Sequence, residues 1–194
     1  DLLPAWSRGE PRPDAVVSLR SVPGLDAIEM RDGGLRIGAT VTLRALAEHP
    51  GVASAAPVLA TVAGGMATPA VRSTATVAGN LCHGSPAADL AGPLLALDAT
   101  IELTGPHGER RVPILAWFEG PGRTVAGPDE LVTAVIVPPV DGVVRHERLT
   151  EQRAVGLAVV SCCVRVARDV DGTVRQARVA YGAAAPTPRR SAAA

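Results

Sequence analysis

Apolar positions along the chain fall into short runs broken by glycine and proline, with no long amphipathic stretch. Residues 14–19 read as a first short strand, and Pro23-Gly24-Leu25 marks a turn. Residues 27–30 and 35–38 flank Arg31-Asp32-Gly33-Gly34, which predicts a hairpin with glycines where positive φ is needed. Thr42 is placed to cap a helix over residues 43–48, and a second helix is expected over roughly residues 52–62, ended by Gly64-Gly65. After a central stretch taken up below, residues 100–103 and 110–112 predict a hairpin across Gly105-Pro106-His107-Gly108. Trp117-Phe118 is the densest aromatic spot in a chain with 2% aromatics, and such a pair anchors a loop in the core. Residues 130–137 alternate as a strand that Pro138-Pro139 stops. Residues 143–149, 157–168 and 173–183 follow as antiparallel strands, the last two joined at Asp171-Gly172. The pattern is α+β.

The central stretch, residues 66–98, is where turn chemistry and a helix start converge. Thr76-Val77-Ala78-Gly79-Asn80 is small and β-branched up to a glycine, which lets the backbone turn sharply and approach a ligand. Ser85 is placed to cap a helix, Pro86 suits its first position, and the apolar run at residues 90–97 drives that helix into a core. Free N–H groups at such a start suit phosphate or polar sugar groups.

Composition narrows the rest. With 47% hydrophobic residues the chain is expected to fold, and no apolar run reaches the roughly 20 residues of a membrane span. Arginine and acidic residues balance at 19 each and the basic ones are dispersed, which argues against nucleic acid. The basic side chains are all arginine, so lysine chemistry is excluded. A cytoplasmic location is expected, since no charged leader precedes an apolar core and cleavage site. Cys82, Cys162 and Cys163 are too few for a four-cysteine iron–sulfur site, and Cys162 and Cys163 are expected in the core. His49, His107 and His146 are expected near turns, His83 as exposed, and no spacing suggests a metal site.

The wording of the central stretch adds more. Thr76-Val77-Ala78-Gly79-Asn80, Ser85-Pro86, Asp89 and Leu97-Asp98-Ala99 closely resemble the TIGGN, SPAGD and LDA signature of the FAD-binding (medium) subunit of the molybdenum hydroxylases. That family includes xanthine dehydrogenase and aerobic carbon monoxide dehydrogenase. Leu35-Arg36-Ile37-Gly38-Ala39-Thr40 is similar to an upstream family segment, and Gly122-Arg123-Thr124 with Pro128-Asp129-Glu130-Leu131-Val132 to a downstream one. Residues 153–166 resemble the start of the family's C-terminal domain.

The resemblance implies a PCMH-like FAD-binding domain over residues 1–138 and part of a C-terminal domain, an antiparallel sheet, over residues 143–194. It implies that Thr76 and the backbone of Val77, Ala78, Gly79 and Asn80 face the dinucleotide. Ser85 and Asp89 would be polar partners, Asp89 accepting from a sugar hydroxyl. Met66 and Val132 would lie near the adenine, and Arg148 would stand where xanthine dehydrogenases have a lysine near the flavin. Ala78 replaces a usual glycine. The family's glycine-rich phosphate loop ends in GGTDL, of which Asp1 and Leu2 would be the last residues. The implied activity is oxidoreductase electron transfer. Substrate is hydroxylated at molybdopterin on a large subunit, electrons cross two [2Fe-2S] clusters on a small subunit, and FAD passes them to an external acceptor. Two alternatives remain open at this point: a non-catalytic scaffold that no longer binds FAD, and a stand-alone FAD enzyme such as an enolpyruvyl reductase.

Overall fold

The computed structural model describes residues 2–151 and 156–191. Helix α1 (Leu2–Ser7) is followed by irregular chain up to residue 27. The strand expected at residues 14–19 is not formed, and Val16 and Val17 lie exposed on the surface. Six positions with no partner ladder cannot satisfy their backbone groups as a strand does.

The hairpin of β1 (Ile28–Arg31) and β2 (Gly34–Gly38) turns at Asp32 and Gly33, both at positive φ (49° and 77°), as a two-residue hairpin turn requires. Helix α2 (Leu43–Glu48) starts at Thr42, whose Oγ1 accepts from Ala45 N at 3.1 Å. The single helix expected next is two: α3 (Pro50–Ala55) and α4 (Pro57–Gly65), broken at Ala56 with φ −147°. Pro57 lacks the N–H that would continue α3 and instead occupies the first position of α4.

Short helices α5 (Pro69–Arg72), α6 (Val77–Cys82) and α7 (Ala91–Ala96) follow. Then come β3 (Thr100–Gly105), β4 (Gly108–Pro113), a 3-10 turn at Ile114–Ala116, the small ribbon of β5 (Phe118–Gly120) and β6 (Arg123–Thr124), and β7 (Leu131–Val137). The last four strands are β8 (Val143–Thr150), β9 (Ala158–Arg168), β10 (Val174–Gly182) and β11 (Arg189–Arg190). Helices of four to nine residues are not stable alone, so packing holds them.

Two antiparallel sheets organise these elements. The first has the order β1-β2-β7-β3-β4, with the helices against one face and Arg36, Glu102 and Arg111 linked on the other. The second has the order β11-β10-β9-β8, and α7, buried along its whole length, lies against β9 and β10. One apolar core runs from Leu35 and Ile37 through Trp117 to Cys163 and Ala180 of the second sheet. Asp98, itself at positive φ, pairs with both Arg178 and Arg190 and so ties the end of α7 to β10 and β11.

Strand alternation corrects the cysteine reading. Cys163 faces the core, while Cys162 faces outward opposite Glu147, on the same face as the exposed Leu149 and Val160.

Candidate functional site

The central stretch is built upward from Trp117. Its ring is fully buried and its Nε1 donates to Leu81 O at 3.1 Å, which fixes α6. The sharp turn expected at residues 76–80 is instead the start of that helix. Thr76 is its cap, and its Oγ1 accepts from Gly79 N at 3.0 Å. The amides here are largely committed: Val77 N donates to Val41 O and Asn80 N to Thr76 O, each at 3.0 Å. The side chain of Asn80 is the uncommitted feature, because its Oδ1 is buried without a hydrogen-bond partner.

Ser85-Pro86 does not open a helix. Ser85 Oγ accepts from Ala87 N at 3.2 Å in a local turn, and α7 begins only at Ala91. The loop is pinned from both sides, which overrides the helix signal. Gly122 N donates to Gly84 O at 3.0 Å, and Ala183 N donates to Pro86 O at 2.8 Å. Gly84 has φ +64°, and a Cβ there would meet Arg123 N at 2.9 Å, so this close approach requires glycine.

Asp89 ends the loop as a nearly buried carboxylate. Arg148 Nη1 donates to its Oδ2 at 2.7 Å, and Arg148 Nη2 donates to Gly65 O, also at 2.7 Å. One guanidinium therefore joins β8, the loop and the end of α4. Arg148 is not a solvated strand residue, and its charge is paired with Asp89. Burial raises the pKa of Asp89, against the pull of Arg148 and His146. Its Oδ1 is buried and unpartnered.

Met66 follows Gly65 directly and is buried, and its carbonyl and that of Ala67 each accept from Arg72 Nη1 at 2.8 Å. Met66, Val77, Ala78 and Val132 all belong to the apolar core. Polar bonds thus bring Gly65, Asp89 and Arg148 together. Val132 is not among them: it lies in the apolar core, on a strand that α6 packs against. Asp1 and Arg153 lie outside the described residues.

A cleft of about 430 Å³ opens between α4 and β8, lined by Thr61, Val62 and Gly65 on one side and Val144, His146 and Arg148 on the other. His146 stands mid-strand rather than near a turn. Burial lowers its pKa against the pull of Asp89, and its Nε2 is buried and unpartnered. The sequence reading missed it, although the period of two in β8 puts His146 on the face of Arg148. The exposed Cys82 and His83 stand next to the loop. Among the described residues, no three His, Cys, Asp or Glu side chains gather as metal ligands.

A buried polar atom without a partner costs about 1–3 kcal/mol. Asn80 Oδ1, Asp89 Oδ1 and His146 Nε2 are three such atoms. They suit a ligand rich in hydroxyl and N–H groups, and to that extent the residues fit a flavin nucleotide.

Residues 1–140 match the family described as the FAD binding domain in molybdopterin dehydrogenase. The chain belongs to this family. Among similar proteins in it, the xanthine dehydrogenase FAD-binding subunit of Escherichia coli O157:H7 is 34% identical over 179 residues, covering 90% of this chain and 61% of that protein. The carbon monoxide dehydrogenase medium chain of Hydrogenophaga pseudoflava is 30% identical over 191 residues, covering 97% and 66%. The solved carbon monoxide dehydrogenase from Hydrogenophaga pseudoflava lacking the Mo-pyranopterin moiety superposes with a TM-score of 0.93 at 30% identity, covering 99% of this chain and 67% of that one. The chain thus spans about two thirds of the length of these relatives. The α+β architecture expected from the sequence agrees with this family's fold. Among the described residues, no helix is long and apolar enough to cross a membrane.

Proposed function

We propose that this chain is the FAD-carrying part of a medium subunit in a cytoplasmic molybdenum hydroxylase. Electrons arrive from [2Fe-2S] clusters on a small subunit, after substrate oxidation at molybdopterin on a large subunit, and leave to an external acceptor. The observation that carries the reading is the pair of buried, unpartnered oxygens Asn80 Oδ1 and Asp89 Oδ1 on the segment that bears the family wording. Bound FAD supplies the electron-transfer chemistry. The chain's own residues bind and orient it, so no side chain here is assigned an acid, base or nucleophilic role.

Asn80 and Asp89 accept from the ligand's hydroxyl or amino groups, with Ser85, Thr76 and the backbone of Val77, Ala78 and Gly79 shaping the same wall. Met66 and Val132 back the adenine end from the core, and Asp1 belongs to the phosphate end. Arg148 holds Asp89 and the Gly65 carbonyl in position, which keeps the acceptor set rigid. Residues 1–138 form the FAD-binding unit, and residues 143–194 contribute strands of a second unit through Arg148.

The test is an FAD titration of the 194-residue chain, followed by quenching of flavin fluorescence and by flavin absorbance coeluting with protein. Saturable binding with one flavin per chain is expected. A folded chain that leaves FAD free in solution would overturn the reading and favour a scaffold role.

A further inference from the structure

His146 is a wall of the cleft that the proposed function leaves without a task. It precedes Arg148 by two residues on the same face of β8, and its Nε2 has no partner. Asp89, within electrostatic reach of His146, engages Arg148 through Oδ2, and its Oδ1 is likewise without a partner. These two atoms have complementary characters. A carboxylate oxygen only accepts, whereas the nitrogen of a neutral imidazole donates when it carries the ring proton. A hydroxyl matches both characters, since it can donate to an oxygen such as Oδ1 and accept from Nε2–H. An amine would serve only Oδ1, and a carbonyl or phosphate oxygen only Nε2–H.

The surroundings favour the neutral ring. Burial and the Arg148 charge oppose its protonation, against Asp89 and Glu147. From α4 the cleft receives Pro57, Val58, Thr61, Val62 and Gly65, none of them ionisable. Across the ladder stands Cys163, whose thiol burial holds protonated with a pKa of about 12.

We infer that His146, together with Asp89, binds a hydroxyl of the flavin's sugar-alcohol chain and makes the cleft selective for that hydroxylated chain. The inference rests on the flavin reading of the site, and its test separates the two. The 194-residue chain, as wild type, His146→Leu and His146→Gln, is titrated with FAD and with FAD analogues that each have one ribityl hydroxyl replaced by hydrogen. Circular dichroism establishes that the variants are folded.

Wild type is expected to bind FAD about five- to tenfold more tightly than one of the analogues, the worth of about one hydrogen bond. His146→Leu should weaken FAD by a similar factor and bind that analogue and FAD alike. His146→Gln, which restores an N–H donor, should recover part of the preference. If His146→Leu keeps both the affinity and the preference, the inference is overturned while the flavin reading stands. Should His146→Leu fail to fold, equal wild-type affinity for FAD and every analogue overturns it. If wild type binds no FAD, the flavin reading fails and takes the inference with it.

Discussion

Trp117→Ala is expected to destabilise the fold by about 3–5 kcal/mol and to weaken FAD binding with it. The indole is fully buried, so its removal leaves a large cavity in the single apolar core. It also leaves Leu81 O without the indole donor, on the helix whose N-terminus presents Thr76 and Asn80. Trp117→Phe separates the two effects. It keeps much of the packing and loses the hydrogen bond, so about 1–3 kcal/mol is expected. Urea unfolding followed by circular dichroism measures both, and flavin fluorescence reports the binding. An alanine variant within 1 kcal/mol of wild type would mean that the core closes over the gap and that α6 needs no anchor.

The second large effect is expected at the Asp89–Arg148 pair. Removing one partner from a wholly buried pair costs about 3–5 kcal/mol. The side chains here are 11% and 23% exposed, so about 2 kcal/mol is expected for Asp89→Ala. On the proposed role of Asp89 as an acceptor for the flavin nucleotide, at least a tenfold loss of FAD affinity should accompany it, as the grip of Arg148 on Gly65 O also loosens. The double variant Asp89→Leu with Arg148→Met should recover most of the stability, since no unpaired charge remains, and none of the affinity. Calorimetric unfolding together with FAD titration of the three chains checks this. A double variant that regains FAD binding would show that the pair serves the fold alone.

The pH dependence follows from the raised pKa of Asp89. The native carboxyl holds its proton to higher pH than the unfolded one, whose ordinary value is 3.8. Stability therefore falls as pH rises from that value through the native one, and is flat above it. Asp89→Asn should remove this slope from the acid limb of the stability profile.

Much of this architecture was legible because glycine, proline and strict alternation punctuate it. Asp32-Gly33 marks one hairpin, Gly105 to Gly108 another, and Pro138-Pro139 closes β7. Where the reading failed, a distant contact outweighed a local preference. Ser85-Pro86 looks like a helix start, but backbone bonds from Gly122 and Ala183 pull the chain into a loop. The break at Pro57 was readable, and its prolyl ring carried the signal. The two-residue strand β11 was not, because Asp98 holds Arg190 from 92 positions away. At the site, family wording pointed to Asn80 and Asp89. Only the structure reveals that Arg148 is bonded to Asp89 and that His146 stands beside them.

The loop over residues 83–90 is riveted at Gly84, Pro86 and Asp89 before any ligand arrives. A docking molecule therefore meets a surface whose conformational freedom has already been given up, and its association includes no ordering of this segment. Encounter is then limited by how often the ligand finds the open side of the cleft in the right orientation, and residence time by how many of the waiting polar atoms it satisfies.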